Sequence, residues 1–314
     1  MPAPVTGTAG LNVRVRRRVV AAVAGVLALG LLGWVAVSVL HWFGRVQFPL
    51  APPLAACDLA GTSFTVTPEQ AGNAATVAAV ALDRGLPEQA VVIALATAMQ
   101  ESKLVNVEYG DRDSLGLFQQ RPSQGWGTPK QILDPVYATG KFYDALVAIH
   151  GWRRLPVAEV AQRIQQSAYP AAYARWEPQA GALAHVLVGR VPAGVSCRFE
   201  SSERPAEQPG PSGLTPRAAA VLAAAHRELG SRRVAAGGDP PERPGQVLAL
   251  APAGWFTANW LVAHAEATAV RQVGYAGRIW TPDRGWHPAG TGTAAPTPDG
   301  SGAAPADRVL VLVG

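Results

Sequence analysis

The sequence predicts a membrane-spanning helix, then a mainly helical domain, then a small α+β domain. Three observations carry that reading. An uninterrupted apolar run lies near the N-terminus, helix caps and breakers punctuate residues 67–168, and the pattern changes to mixed helix and strand after a Pro- and Ser-rich stretch at 199–213.

At 314 residues the chain exceeds what one hydrophobic core usually organises. Hydrophobic residues make up 48% and charged residues 16%, which excludes an intrinsically disordered chain. The 27 basic and 22 acidic residues leave a net charge of +5, and four of the positive charges stand together at Arg14, Arg16, Arg17 and Arg18. The remainder is nearly neutral, with no basic patch interleaved with aromatics, so nucleic acid is not an expected partner. Residues 19–40 carry no charge and would form a helix of about 33 Å, enough to cross a hydrocarbon core of about 30 Å. We place the transmembrane helix at 19–42, with Trp34, His41 and Trp42 near an interface. The preceding arginines keep residues 1–18 in the cytoplasm, so the bulk of the chain is expected to be extracellular. The competing reading is a cleaved signal peptide. Against it, the run exceeds the usual apolar core of about 7–15 residues, and no small-x-small site follows directly.

Two cysteines, Cys57 and Cys197, lie beyond that helix, in a compartment where disulfides persist, and are expected to pair. The rival is that Leu54-Ala55-Ala56-Cys57 is a lipoprotein processing site, which would lipidate Cys57 and leave Cys197 alone. Residues 43–56, with Pro49, Pro52 and Pro53, read as a short stiff tether. Residues 199–213 have the composition of a linker, dividing a domain at 57–198 from one at 214–314.

Thr67-Pro68-Glu69-Gln70 supplies an N-cap, a Pro at the first helical position and a Gln that can close a capping box; that helix should stop near Gly85 and Pro87. A second helix should run from Pro87 to about Ser102, and its interior from Ala90 to Met99 is apolar nearly all round, which marks it as buried. Asp134-Pro135 and Leu155-Pro156 start two more, one ending near Gly151 and the other near Ala168. The stretch from Lys103 to Lys130 has no periodicity and should be a loop or short hairpin over a site.

Glu101 ends a helix that has no charge between Gln89 and Glu101. A carboxyl at the edge of an apolar core, and at the negative end of a helix dipole, is expected to hold its proton, as a general acid must. The plain alternative is a solvated last-turn glutamate. The following residues decide between them: Glu101-Ser102, then Gly110-Asp111-Arg112-Asp113-Ser114-Leu115-Gly116-Leu117-Phe118-Gln119-Gln120, and later Ser167-Ala168-Tyr169.

In these elements, taken in order over about residues 68–185, the chain resembles the lytic transglycosylases and goose-type lysozymes. That superfamily has a Glu-Ser at the end of a buried helix, a Gly-Leu-x-Gln turn and an Ala-Tyr step. The run Arg121-Pro122-Ser123-Gln124-Gly125-Trp126-Gly127 looks like an actinobacterial subgroup. The resemblance implies a lysozyme-like fold that cleaves the glycan strand of peptidoglycan. Glu101 would protonate the glycosidic oxygen. Ser102, Gln119, Gln120 and Tyr169 would bind substrate, with Gln119 and Tyr169 positioning the N-acetyl sugar. Trp126 is either a sugar-stacking platform or an anchor for its loop. The chain departs from the family at Pro170, where an Asn often follows the Tyr.

Hydrolysis needs a second carboxylate about 5–9 Å away. Asp111, in a Gly-Asp-Arg phrase similar to one in goose-type lysozymes, is the candidate base, while Asp111 and Asp113 pairing with Arg112 or Arg121 is the structural alternative. In a lytic transglycosylase Glu101 alone would suffice, leaving a 1,6-anhydro end.

In residues 214–314 the segments Thr215–Leu229 and 254–265 read as helices, and 278–282 and 309–313 as strands. The domain is similar to a C-terminal module distantly related to zinc carboxypeptidases of the cell wall. Its ligand positions, however, fall on Glu242, Ala249, Arg308 and Leu310, so no metal and no other cofactor is expected. This region is instead a candidate surface for wall material or a protein partner. Besides the enzyme, two readings stay open: a non-catalytic wall-binding or scaffolding protein, and a membrane-tethered subunit of a larger machine.

Overall fold

The structure is a computed structural model that describes residues 55–167, 169–201, 205–230, 235–236, 247–251, 254–290 and 305–314. The spanning segment expected at 19–42, nearly all of the tether, and Glu242 lie outside these residues. Among the described residues no helix is long and apolar enough to cross a membrane. A mainly helical region over residues 56–230 is followed by an antiparallel-sheet α+β region.

Helix α1 (Pro68–Asp83) begins on a complete capping box: the Thr67 side chain accepts from the Gln70 backbone N–H, and the Gln70 side chain accepts from the Thr67 N–H. Helix α2 (Glu88–Glu101) starts after Pro87 and ends on Ser102. It is buried from Ala90 to Met99 because other helices surround it: α1, α4 (Pro135–Ala148), α5 (Val157–Gln165) and α6 (Glu177–Leu187). This is the fate expected of a helix that is apolar on every face. The short α3 (Pro129–Ile132) has its own Thr128–Gln131 capping box, and Asp134 caps α4 through the Val136 and Tyr137 N–H groups. The structure adds α6, which the punctuation did not mark, and a 310 turn at Pro170–Trp176 leading into it.

Strands β1 (Ala56–Leu59), β2 (Thr65–Val66) and β3 (Val195–Arg198) form a small antiparallel sheet in the order β2-β1-β3. Cys57 stands opposite Cys197 in the β1–β3 register, and the two form a disulfide. A thiol committed to a disulfide is not free for lipidation.

Helix α7 (Pro216–Leu229) is capped by Thr215 and stops at Gly230. The second sheet has the order β4-β5-β9-β6-β7-β8, made of β4 (Ala235–Ala236), β5 (Val247–Ala251), β6 (Val270–Tyr275), β7 (Arg278–Thr281), β8 (Gly285–Pro288) and β9 (Val309–Val313). Helices α8 (Trp255–Ala263) and α9 (Ala265–Thr268) precede β6. Residues 57–198 and 214–314, read in the sequence as two domains, bury one continuous apolar core, in which α7 and α8 both pack on α1. Polar contacts cross the same junction. Asn259, wholly buried, accepts from the Val195 N–H at 3.2 Å and donates to the Val186 carbonyl at 3.0 Å. The indoles of Trp280 and Trp286 donate to the Cys197 and Val195 carbonyls at 3.1 and 2.7 Å. Of the positions compared with peptidase ligands, Ala249 and Leu310 face each other in the β5–β9 register, and Arg308 pairs with Asp307.

Candidate active site

Glu101 is half-buried in the last turn of α2, where the helix leaves the core. The Tyr173 hydroxyl donates to Glu101 Oε1 at 2.6 Å. Tyr173 is 0% exposed and sits in the 310 turn that leads into α6. Burial first, then the bond to Glu101 and its charge, push the Tyr173 phenol well above its ordinary pKa, so it stays a proton donor over the physiological range.

Ser102 bonds within the protein. Its hydroxyl donates to the Ala98 and Leu117 carbonyls at 3.2 and 2.8 Å, bolting the end of α2 to the Gly-Leu-Phe-Gln turn. That turn is anchored twice more. Leu117 and Phe118 are wholly buried, with Phe118 stacked on Phe142 at 4.6 Å, and Gln165 Nε2 donates to the Phe118 carbonyl at 2.7 Å. Gln165 carried no motif; its only signal is its place at the end of an amphipathic helix. Gly116 takes φ +75, and a Cβ there would come within 2.8 Å of the Ile132 carbonyl. At Gly110 a Cβ would overlap the Gln119 amide and lie 2.7 Å from the Ser114 carbonyl, so only glycine lets the two arms of the loop close. Gln119 itself has φ +48 and donates to the Tyr109 and Gly116 carbonyls, both at 3.3 Å.

Three further expected site residues, Tyr169, Gln120 and Trp126, have different surroundings. Tyr169 is 76% exposed and is not the tyrosine on Glu101; Tyr173, in the second Ala-Tyr step at Ala172-Tyr173, takes that place. The proline turn at Pro170 starts the 310 segment that brings Tyr173 inward. Gln120 is 2% exposed and donates to the Ala138 carbonyl at 3.1 Å, because the Leu115–Gln120 bridge turns its side chain into the core. Trp126 is half-buried and packs on the core.

Asp111 and Asp113 part company. Asp111 is exposed, with Arg112 at 3.9 Å as a loose partner. Asp113 braces the loop: it accepts from Arg121 Nε at 2.7 Å and from the Ser123 N–H at 2.8 Å. The Arg121 guanidinium, with the Ser123 N–H, holds the Asp113 carboxyl well below the usual carboxylate range.

A scan against protein-family models and a search of curated proteins found no match. The functional reading therefore rests on the site. Its wider rim includes Gln100, whose side-chain oxygen accepts from Arg175 at 2.8 Å and from the Trp176 indole at 2.9 Å. Lys103 lies over the Trp176 ring at 4.5 Å. Among the described residues no cluster of three or more His, Cys, Asp or Glu side chains is placed to hold a metal ion.

Proposed function

We propose that this chain cleaves the glycan strand of peptidoglycan outside the membrane, as a lytic transglycosylase-like enzyme with Glu101 as its general acid and base. The observation that carries the reading is the bond from a buried tyrosine to Glu101, at a helix end fastened through Ser102 to the Gly-Leu-Phe-Gln turn. Tyr173 occupies Oε1 and fixes the carboxyl plane, leaving the other oxygen to face a substrate. Glu101 donates its proton to the bridging oxygen as the C1–O bond breaks, and the aglycone leaves as an alcohol. The carboxylate so formed takes the proton of the muramic 6-hydroxyl while that oxygen bonds to C1. The proton is returned to Glu101 and a 1,6-anhydro end is left. Such a cycle uses one carboxylate, whereas hydrolysis requires a second.

The exposure of Asp111 and the commitment of Asp113 to Arg121 favour the one-carboxylate route over muramidase chemistry. The disulfide suits an oxidising, extracytoplasmic setting. The reading is tested by adding purified full-length chain to a suspension of cell walls: the wild type should clear it and Glu101→Gln should not. A wild type that sediments with walls but releases nothing would instead support a non-catalytic binding module.

A further inference from the structure

Beside the end of α2 lies a second cleft of about 340 Å³, separate in its lining from the Tyr173–Glu101 pair. Phe64, Val66, Met99 and Trp176 give it apolar walls, and Lys103 and Gln179 supply polar groups. No carboxylate lines it among the described residues. The backbone at its mouth is strained: Lys103 and Leu104 both adopt left-handed conformations, with φ +58 and +63, which a Cβ disfavours.

That strain is held in place from several sides. Gln70 Nε2 donates to the Lys103 carbonyl at 2.7 Å, Asn73 Nδ2 to the Leu104 carbonyl at 2.8 Å, and the Leu104 N–H to the Ala98 carbonyl at 3.3 Å, while the Leu104 side chain is buried. The result is to fold Lys103 back, so that its ammonium sits over the Trp176 ring and donates to the Met99 carbonyl at 3.1 Å. An ammonium has three N–H donors, and this contact uses one. Among the described residues no carboxylate forms an ion pair with Lys103. Partial burial and the nearby Arg175 charge lower its pKa, with Glu101 partly offsetting them. A cation held over an indole, in a cleft with apolar walls and no carboxylate among its described lining residues, is arranged for a ligand that is both apolar and anionic.

We propose that this cleft binds a carboxylate-bearing peptide, and that in the substrate it receives the stem peptide of the glycan strand, with Lys103 as the group that recognises the carboxylate. The assignment of the peptide to the wall rests on the function proposed above; the cleft's preference for a carboxylate does not.

The test is calorimetric titration of full-length Glu101→Gln protein with a wall stem tetrapeptide, and with the same peptide after its carboxyl groups are converted to amides. In this background Lys103 cannot act through the Glu101 charge. Binding of the acid peptide should weaken at least tenfold on amidation, and at least tenfold in Lys103→Asn, a replacement that tolerates the left-handed backbone. The two losses should not add, and Lys103→Arg should bind within about threefold of Lys103. Equal binding of acid and amide peptides, or unchanged binding by Lys103→Asn, overturns the proposal, as does no binding at millimolar peptide. Peptide binding by a protein whose wild type releases nothing from walls would keep the cleft assignment and sink the enzyme reading. Wall cleavage without peptide binding would do the reverse.

Discussion

Tyr173 donates its hydroxyl to Glu101 from a fully buried position in a 310 turn, 72 residues along the chain from the carboxylate it holds. Removing that hydroxyl leaves Glu101 Oε1 without its partner and the carboxyl free to rotate. Tyr173→Phe should lower the rate of fragment release by about ten- to a hundredfold, the cost of about 1–3 kcal/mol expected for a lost bond to a charged group. Tyr169→Phe, at an exposed tyrosine, should stay within about twofold. Initial rates on labelled walls distinguish the two.

Gln165 bonds the Phe118 carbonyl and touches the site only through the turn. Gln165→Ala should destabilise the protein by about 1 kcal/mol and reduce the release rate several-fold through looser placement of the turn. A thermal melt alongside the rate assay checks both effects; a rate unchanged at reduced stability would show that the turn does not position the reaction.

The Asp113–Arg121 brace should make the loop acid-sensitive. The folded value of Asp113 lies below its unfolded one, so its contribution is present above the ordinary carboxylate range near pH 4 and is lost as pH falls through the lowered value. Hydrogen exchange of the Ser123 amide should be slow at pH 6 and quicken, relative to its intrinsic rate, as the pH falls below that range. In Asp113→Asn it should be fast throughout.

The Cys57–Cys197 bridge joins residues 140 apart in sequence. By the loop-entropy relation a bridge of that span stabilises by about 5 kcal/mol. Reduction should therefore lower the melting temperature by roughly 10–20 °C, measured by calorimetry with and without reductant.

Glu228 ties the C-terminal region to α1. Its Oε2 accepts from Thr76 Oγ1 at 2.9 Å and from the Trp260 indole at 2.8 Å, and His264 Nε2 stands at 3.5 Å. Glu228→Ala strands the buried Trp260 indole donor, leaves Thr76 only His264 Nε2 at 3.3 Å, and should cost about 1–3 kcal/mol. Because residues 57–198 and 214–314 share one core, denaturant unfolding should show that loss in a single transition reported equally by fluorescence and circular dichroism.

What the sequence made legible follows from the range of the interactions involved. Thr67-Pro68-Gln70, Asp134-Pro135 and Thr215-Pro216 write their caps into neighbouring residues, so three helix starts could be read directly. The buried helix ending at Glu101 was readable from its uniform apolarity. The β1–β3 pairing was not, since a four-residue strand acquires its meaning only from a partner far away in sequence. The same holds within the site. Ala168-Tyr169 and Ala172-Tyr173 offer the same dipeptide, and which tyrosine meets Glu101 depends on how the turn starting at Pro170 packs against α2. Gln120 turns into the core because it pairs with Leu115 straight after the left-handed Gln119, and nothing local in the sequence marks that change of direction.

The central claim is that Glu101 works alone in breaking the glycan strand. Mass spectrometry of the soluble products released from peptidoglycan by the full chain and by its Glu101→Gln variant tests it most directly. The account predicts 1,6-anhydro muramyl ends from the wild type and no fragments from the variant. Reducing ends from the wild type, or equal release by the variant, would contradict it.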